Sequence, residues 1–374
     1  MEDTNTMIEG SIAKKIIYFA IPLFLGNLFQ QLYNTADSLI VGNFLGSSAL
    51  AAVASSGNLI FLLVGFFNGL SVGAGVVIAR FFGAHDHRRV RLSIHTTVAL
   101  GIICGLVLTG VGVIFAPKIL VLMGTPQDVL PDSIIYFRIY FMGSLAFVLY
   151  NAFTGILQAL GDSKHPLYYL IISSVINVVL DIVLITVFHM GVDGAAIATV
   201  ISQVVSAVLC FLYLLKHPSY PLVIKDIRFD IPMLKQVIQN GLPAGIQNSI
   251  IALANVVVQS YINSFGKMAV AGCGAYSKIE GFGFLPITCF ALAMTTFVSQ
   301  NMGAKKYDRV KKGTRFGIIC SLILAQIIGI VIFIAAPFLI SLFDSTVDVV
   351  GFGTAQARTV TLFYFLLAFS HCIA

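Results

Sequence analysis

Two aspartates stand inside sequence that is otherwise fit only for an apolar environment. Asp37 falls within the hydrophobic run 16–43 and Asp181 within the run 166–189. A charged acid at the centre of a membrane helix costs about 2.5–3.5 kcal/mol on insertion scales, so such a residue is a functional candidate from the outset. Neutral hydrogen-bonding groups accompany both acids. Gln31 and Asn34 precede Asp37, and Asn177 stands one helical turn before Asp181 on the same face. Thr199 falls early in the next run, 194–215. No lysine or arginine stands beside the acids to neutralise them. Carboxyls taken out of water in this way can bind and release a proton as their surroundings change. The same oxygens can hold a sodium ion, and a protonated acid can also serve only as a hydrogen bond between helices. A second polar island, Lys278 and Glu280, interrupts the run 268–301. Residues two apart on a helix do not face each other, so these two are candidates for contacting other helices or for lining a cleft.

The elements that must position these groups are membrane helices. Hydrophobic residues make up 58% of the chain and charged residues 10%, against about 25% charged in an ordinary soluble domain. Stretches long enough to span a bilayer, roughly 20 residues each, fall at about 16–43, 50–79, 92–116, 133–160, 166–189, 194–215, 236–264, 268–301, 316–340 and 352–374. The N-terminal segment lacks the pattern of a cleaved signal peptide, so the first span belongs to the mature protein.

Basic residues set the orientation. Lys14 and Lys15 precede the first span, and Arg80, Arg88, Arg89 and Arg91 separate the second and third. Lys216, Lys225, Arg228 and Lys235 follow the sixth, and Lys305, Lys306, Arg309, Lys311, Lys312 and Arg315 follow the eighth. All of these loops lie on one side, which the positive-inside rule makes the cytoplasm, with the N-terminus also inside and the chain in the cytoplasmic membrane. The net charge of +6 therefore reflects topology and not a nucleic-acid partner. Spans 1 and 5 both run outward on this reading, which brings Asp37 and Asp181 to similar depths. Asp162, Lys164, Asp193 and Lys267 fall near span ends and read as loop charges. Tyr18, Tyr33, Tyr136, Tyr140 and Tyr261 read as interfacial tyrosines in a chain without tryptophan. The six cysteines occur singly, with no CxxC pair, and suggest neither a disulfide framework nor a zinc site.

The chain repeats itself at an offset of 220 residues: Gly83, Ala84, Arg89 and Val90 recur as Gly303, Ala304, Arg309 and Val310, and Gly46, Ala49 and Ala51 as Gly266, Ala269 and Ala271. Pro22 recurs as Pro243 with a slip of one. A duplicated bundle is the architecture in which secondary transporters hold cargo between two halves. The expected organisation is an N-lobe of six helices over 1–216, a cytoplasmic linker over 217–235 and a C-lobe of four helices over 236–374. A full second copy would hold six helices, so two are expected beyond residue 374. Gly65, Gly69 and Gly73, and likewise Gly101 and Gly105, recur at four-residue spacing and predict close helix contacts. Pro286, after Gly281 and Gly283 in mid-span, is a candidate hinge.

The run from Pro22 to the Asn-Thr-Ala-Asp of residues 34–37, with the GAKKYDRVKK loop of 303–312, resembles the MATE family of multidrug and toxic compound extrusion transporters over essentially the whole chain. The resemblance implies an all-α integral membrane protein of two pseudo-twofold-related bundles, twelve helices in full length, around a V-shaped cleft. In its proton-coupled, DinF-like branch the N-lobe site resembles Asp37, Asn177, Asp181, Thr199 and, more loosely, Tyr136 here. Acids that another branch carries in helices 7 and 10 are absent, which weakens a C-lobe sodium site. The expected activity is cation-coupled antiport, by protons in preference to sodium, exporting amphipathic or cationic organic compounds through alternating access. No cofactor is implied, and the expected unit is a monomer in the bilayer. A flippase of lipid-linked saccharides or lipids is the nearest rival. An enzyme is disfavoured because no HExxH or GxSxG motif occurs.

Overall fold

In lipid the backbone must satisfy its own hydrogen bonds, so long apolar runs become helices. A computed structural model of the chain describes residues 6–373 apart from 123, 124, 126 and 128; the side chains of 47, 48, 50, 51, 54–64, 256, 263 and 267 also fall outside the described set, and with them the Lys267 charge. The helices are α1 (Ile12–Leu45), α2 (Ser47–Gly83), α3 (His87–Leu122), α4 (Leu130–Met142), α5 (Ser144–Ala159), α6 (Lys164–Ile182), α7 (Val192–Leu215), α8 (Ile231–Ser264), α9 (Lys267–Gly303), α10 (Tyr307–Ser341), α11 (Val347–Thr361) and α12 (Tyr364–Ile373). A π-helical turn, Val183–Val187, extends α6, and a 3-10 turn, Ile224–Asp226, precedes α8.

Among the described residues eight helices are long and apolar enough to cross a membrane, and α4 with α5, bent by 48° at Gly143, makes a ninth span. The pair α11 and α12, broken at Leu362–Phe363, accounts for the tenth hydrophobic run. The sequence pattern predicts the spans but not these breaks, because hydropathy continues unchanged through them.

The duplication is written into the backbone. Helix α1 matches α8 at 34 residues, and α2 matches α9 at 37. Gly46 and Gly266, the residues before α2 and α9, adopt φ of 86° and 91°, a left-handed conformation that a side chain would strain. His85 and Lys305, which end the corresponding loops, share φ of 55° and 57°. Asp86 N donates to Phe81 O at 3.1 Å, and Lys306 N to Asn301 O at 2.9 Å, so the same backbone bond closes the turn in both copies although the residues differ.

Two compact units result, one holding Phe29–Ser249 and the other Met7–Leu28 with the chain from Ile250 onward. In the first, a core of Ile78, Ile94, Phe153, Ile156 and Leu157 is continuous with the segment between α7 and α8. That segment is part of the packed unit. Tyr220 and Leu222 are buried, the Tyr220 hydroxyl lies 2.6 Å from His87 Nδ1, and Val223 N donates to His95 Nε2 at 3.1 Å. In the second unit Phe19 and Leu23 of α1 pack on Phe290, Met294 and Phe297 of α9. Here Arg309 donates to the Gly10 carbonyl at 2.8 Å, and Asn301 to the Met7 carbonyl at 3.2 Å.

The glycine stripes act as expected. A Cβ on Gly69 would stand 2.2 Å from Gly245 N, one on Gly73 2.2 Å from Gly241 N, and one on Gly105 2.8 Å from Leu145 Cα. Helices α2 and α8 therefore touch backbone to backbone. Gly110 has open space around its Cα. Gly69→Val should lower stability by about 1–3 kcal/mol or more through overpacking, visible as a lower thermal midpoint of the purified protein in detergent, whereas Gly110→Ala should leave the midpoint unchanged.

Candidate functional site

The first unit gathers most of the polar residues singled out in the sequence. Asp37 near the end of α1 is 9% exposed, and Asn177 and Asp181 on α6 are fully buried. The carboxyls of Asp37 and Asp181 come within hydrogen-bonding reach of each other. A hydrogen bond between two carboxyls requires a proton on one of them. Two full negative charges about 4 Å apart repel by about 4 kcal/mol even at an effective dielectric of 20, and among the described residues no basic side chain pairs with either acid.

The surrounding groups are neutral. Both side-chain atoms of Asn177, both carboxyl oxygens of Asp181 and Oδ1 of Asp37 are buried without a hydrogen-bond partner among the described residues. Natural interiors rarely leave such atoms unmatched, so a cluster of them marks a place where a ligand, ion or proton binds. Thr199 is 8% exposed on α7, and its hydroxyl returns to the Ala195 carbonyl at 3.1 Å. Helices α6 and α7 pack against each other, which brings the Asn177–Asp181 face towards the start of α7.

Tyrosines close the site. Tyr136 of α4 is 5% exposed, packed with Val41, Ala195 and Ala196, and near enough to both acids to feel their charge. Tyr33, one turn before Asp37, is likewise buried beside both acids, and its hydroxyl accepts from Gln203 Nε2 at 3.5 Å. Tyr33 and Tyr136 are therefore not interfacial belt residues, a correction to the sequence reading. A helical run of apolar residues gives no sign of which face a tyrosine occupies. Tyr18 and Tyr261, exposed at 72% and 70%, keep the belt assignment. Gln203, which the sequence reading passed over, lies one turn after Thr199 on the same face of α7. The signal that could have found it is its position as an amide within an apolar run.

Asp181 stands directly before the π-helical turn Val183–Val187, where Phe188 N reaches back to Val183 O at 3.2 Å. Single π-turns inside α-helices recur at functional sites, since the wider turn re-aims the side chains around it.

Other candidates fall elsewhere. Asn34 is on the exposed side of α1, away from the buried set. Lys278 is exposed, and Glu280 is half-buried in the second unit, accepting from the Tyr276 hydroxyl at 3.0 Å; that hydroxyl also meets Tyr364 at 3.1 Å. Pro286 lies in a helix that runs unbroken from Lys267 to Gly303 and lines an apolar cavity of about 390 Å³ with Cys289, Phe290 and Cys320. Among the described residues a bend of 48° falls at Gly143, between α4 and α5. Asp162, read above as a surface charge, is 6% exposed. Its carboxylate accepts from Lys164 N at 3.1 Å and from the Tyr213 hydroxyl at 3.1 Å, and it pairs with His165 Nδ1 at 2.5 Å. A position just before a helix, which sequence alone reads as loop, is here a buried cap.

A duplicated helical membrane fold with paired, uncompensated acids in one bundle is the architecture of a secondary transporter. The MatE family model matches residues 22–183 and again 243–374, once per repeat, and the chain belongs to that family. It is 33% identical to the probable multidrug resistance protein YoeA of Bacillus subtilis over 349 residues, covering 91% of this chain and 75% of that protein. It is 26% identical to the probable multidrug resistance protein NorM of Thermotoga maritima over 361 residues, covering 96% and 78%. Among solved structures it resembles one described as MATE in the bent conformation, with a TM-score of 0.91 and 25% identity over 100% of this chain and 83% of that one. It also resembles an outward-facing multidrug resistance MATE family transporter of the MOP superfamily, with a TM-score of 0.89 and 25% identity over 98% and 84%.

Asn177→Leu, which keeps the branched outline but removes the buried amide next to the acids, should abolish the response of transport to a pH gradient while the protein still elutes as a monodisperse species. Retained wild-type response would remove Asn177 from the site.

Proposed function

We propose that this chain is a proton-coupled antiporter that exports amphipathic or cationic organic compounds across the cytoplasmic membrane, working as a monomer with its N-terminus inside. The observation that carries the reading is the pair Asp37 and Asp181, buried within hydrogen-bonding reach with no basic residue among the described ones paired to them. The names of its relatives, probable multidrug resistance proteins, agree with organic cargo. Its two lobes are taken as 1–216 and 236–374.

The geometry gives antiport a direct physical basis. With a proton on the pair, the two carboxyls hydrogen-bond and hold α1 against α6 and α7. Without it, two like charges face each other in a site of low dielectric, and the arrangement must open or take up a cation. Proton binding and cargo binding then favour different states, and each drives the other by its differential affinity. Uptake of the proton from the acidic outer side closes the pair and weakens cargo binding. Loss of the proton to the cytoplasm resets it. Sodium could occupy the same oxygens only with several of them well placed around one ion.

The test is efflux of a cationic dye from proteoliposomes in sodium-free buffer under an imposed pH gradient. Wild type should respond to the gradient, with a pH profile belonging to the pair and not to either acid alone. Asp181→Asn, which keeps shape but cannot titrate, should cut gradient-driven efflux by about tenfold or more. Strict dependence on added sodium with no response to the pH gradient would reject protons as the coupling ion and leave the antiporter standing.

A further inference from the structure

A proton bound at Asp37 and Asp181 has to leave on the other side of the membrane, and the first unit contains a buried polar route for it. On α7 the residues Thr199, Gln203, Ser206, Cys210 and Tyr213 recur at alternating spacings of four and three, which keeps them on one face. The first four are 8%, 9%, 1% and 0% exposed. The stripe spans about 21 Å at 1.5 Å per residue. Its second member, Gln203, bonds to Tyr33 beside the acids, and its last lies at the basic end of the unit. There the Tyr213 hydroxyl donates to Asp162 at 3.1 Å, and the Tyr213 ring stacks on His165 with centroids 4.0 Å apart.

Helix α5 packs on this face of α7 and contributes the middle of the route. Tyr150, 8% exposed, lies between Tyr33 and Cys210, and Thr154 stands one turn further on, beside both the Tyr150 hydroxyl and the Cys210 thiol. Two atoms along it, Gln203 Oε1 and Thr154 Oγ1, are buried and have no hydrogen bond of good geometry among the described residues. Buried polar atoms left in that state are where ordered water and moving protons are accommodated.

Building on the proton-coupled reading above, we infer that the Tyr33–Tyr150–Thr154–Cys210 line, with Gln203 holding Tyr33, is the pathway by which the coupling proton passes from Asp37 and Asp181 to Asp162 and His165 and so to the cytoplasm. The step conserves its atoms. The carboxyl gives its proton to the Tyr33 hydroxyl, which the Gln203 amide holds in place without titrating; each hydroxyl accepts on its oxygen, and the Cys210 thiol on its sulfur, while passing on its own hydrogen, and the final proton arrives on the Asp162–His165 pair. His165, with a side chain 39% exposed, delivers it to water. The Tyr150 and Thr154 hydroxyls carry the proton in this transfer.

The experiment uses the full chain in proteoliposomes with ethidium as cargo and no sodium. The double substitution Tyr150→Phe and Thr154→Val removes both hydroxyls with little change of shape. It should slow pH-gradient-driven ethidium efflux by about tenfold, while ethidium counterflow at equal pH, which needs no net proton movement, stays within about twofold of wild type. Thr154→Ser, which restores a hydroxyl, should transport as wild type. Should the double variant fail to fold, Asp162→Asn, which retains the helix cap, must show the same selective loss. Undiminished gradient-driven efflux in the folded double variant, or in Asp162→Asn, would overturn the pathway while leaving proton coupling intact. A wild type that ignores the pH gradient would instead reject the coupling reading, and the pathway with it.

Discussion

Two carboxyls held together without a counter-charge, inside a helical bundle that excludes water, are the constraint on which the rest of this molecule depends. Burying one acid in a membrane costs several kcal/mol, and burying two in contact adds their repulsion unless a proton or cation joins them. The arrangement is therefore intrinsically two-state. A protonated pair is a hydrogen bond, and a deprotonated pair is a repulsion that something must relieve. Neutral amides and hydroxyls around the pair, from Asn177, Thr199, Tyr33 and Tyr136, can serve either state because they fix no charge of their own.

The scaffold supplies the precision such a pair needs. Glycines at 69, 73, 241 and 245 let α2 and α8 meet backbone to backbone, so the first unit contains tightly crossed helices. A bend of 48° at Gly143 turns the chain between α4 and α5, and a π-helical turn begins two residues after Asp181 on α6. Both departures from regular helix lie in the unit that holds the acids. The segment between α7 and α8 is pinned to α3 through His87 and His95, and it covers the end of the bundle where Asp162 and His165 are found.

Much of this was legible in the sequence, for identifiable reasons. Hydropathy reports helices that lipid must satisfy, so the spans were readable. A repeat of glycine, alanine and arginine at one offset reports duplication, and the same φ angles at Gly46 and Gly266 are its structural imprint. Asp37 and Asp181 announced themselves because charge in an apolar run is costly. Tyr33, Gln203 and Asp162 did not. A tyrosine, an amide or a helix-capping acid is compatible with surface, interface or core, and only packing decides among them. The breaks at Gly143 and Leu362 escaped for a related reason, since apolar composition runs through them without interruption.

The central claim, that Asp37 and Asp181 share a proton which cargo displaces, can be tested on the purified protein without any transport. In weakly buffered detergent solution, adding a saturating cationic dye should release about one proton per molecule, read by a pH indicator, and Asp37→Asn or Asp181→Asn should release none. Cargo binding with no proton release from wild type, or with equal release from the variants, would contradict the account.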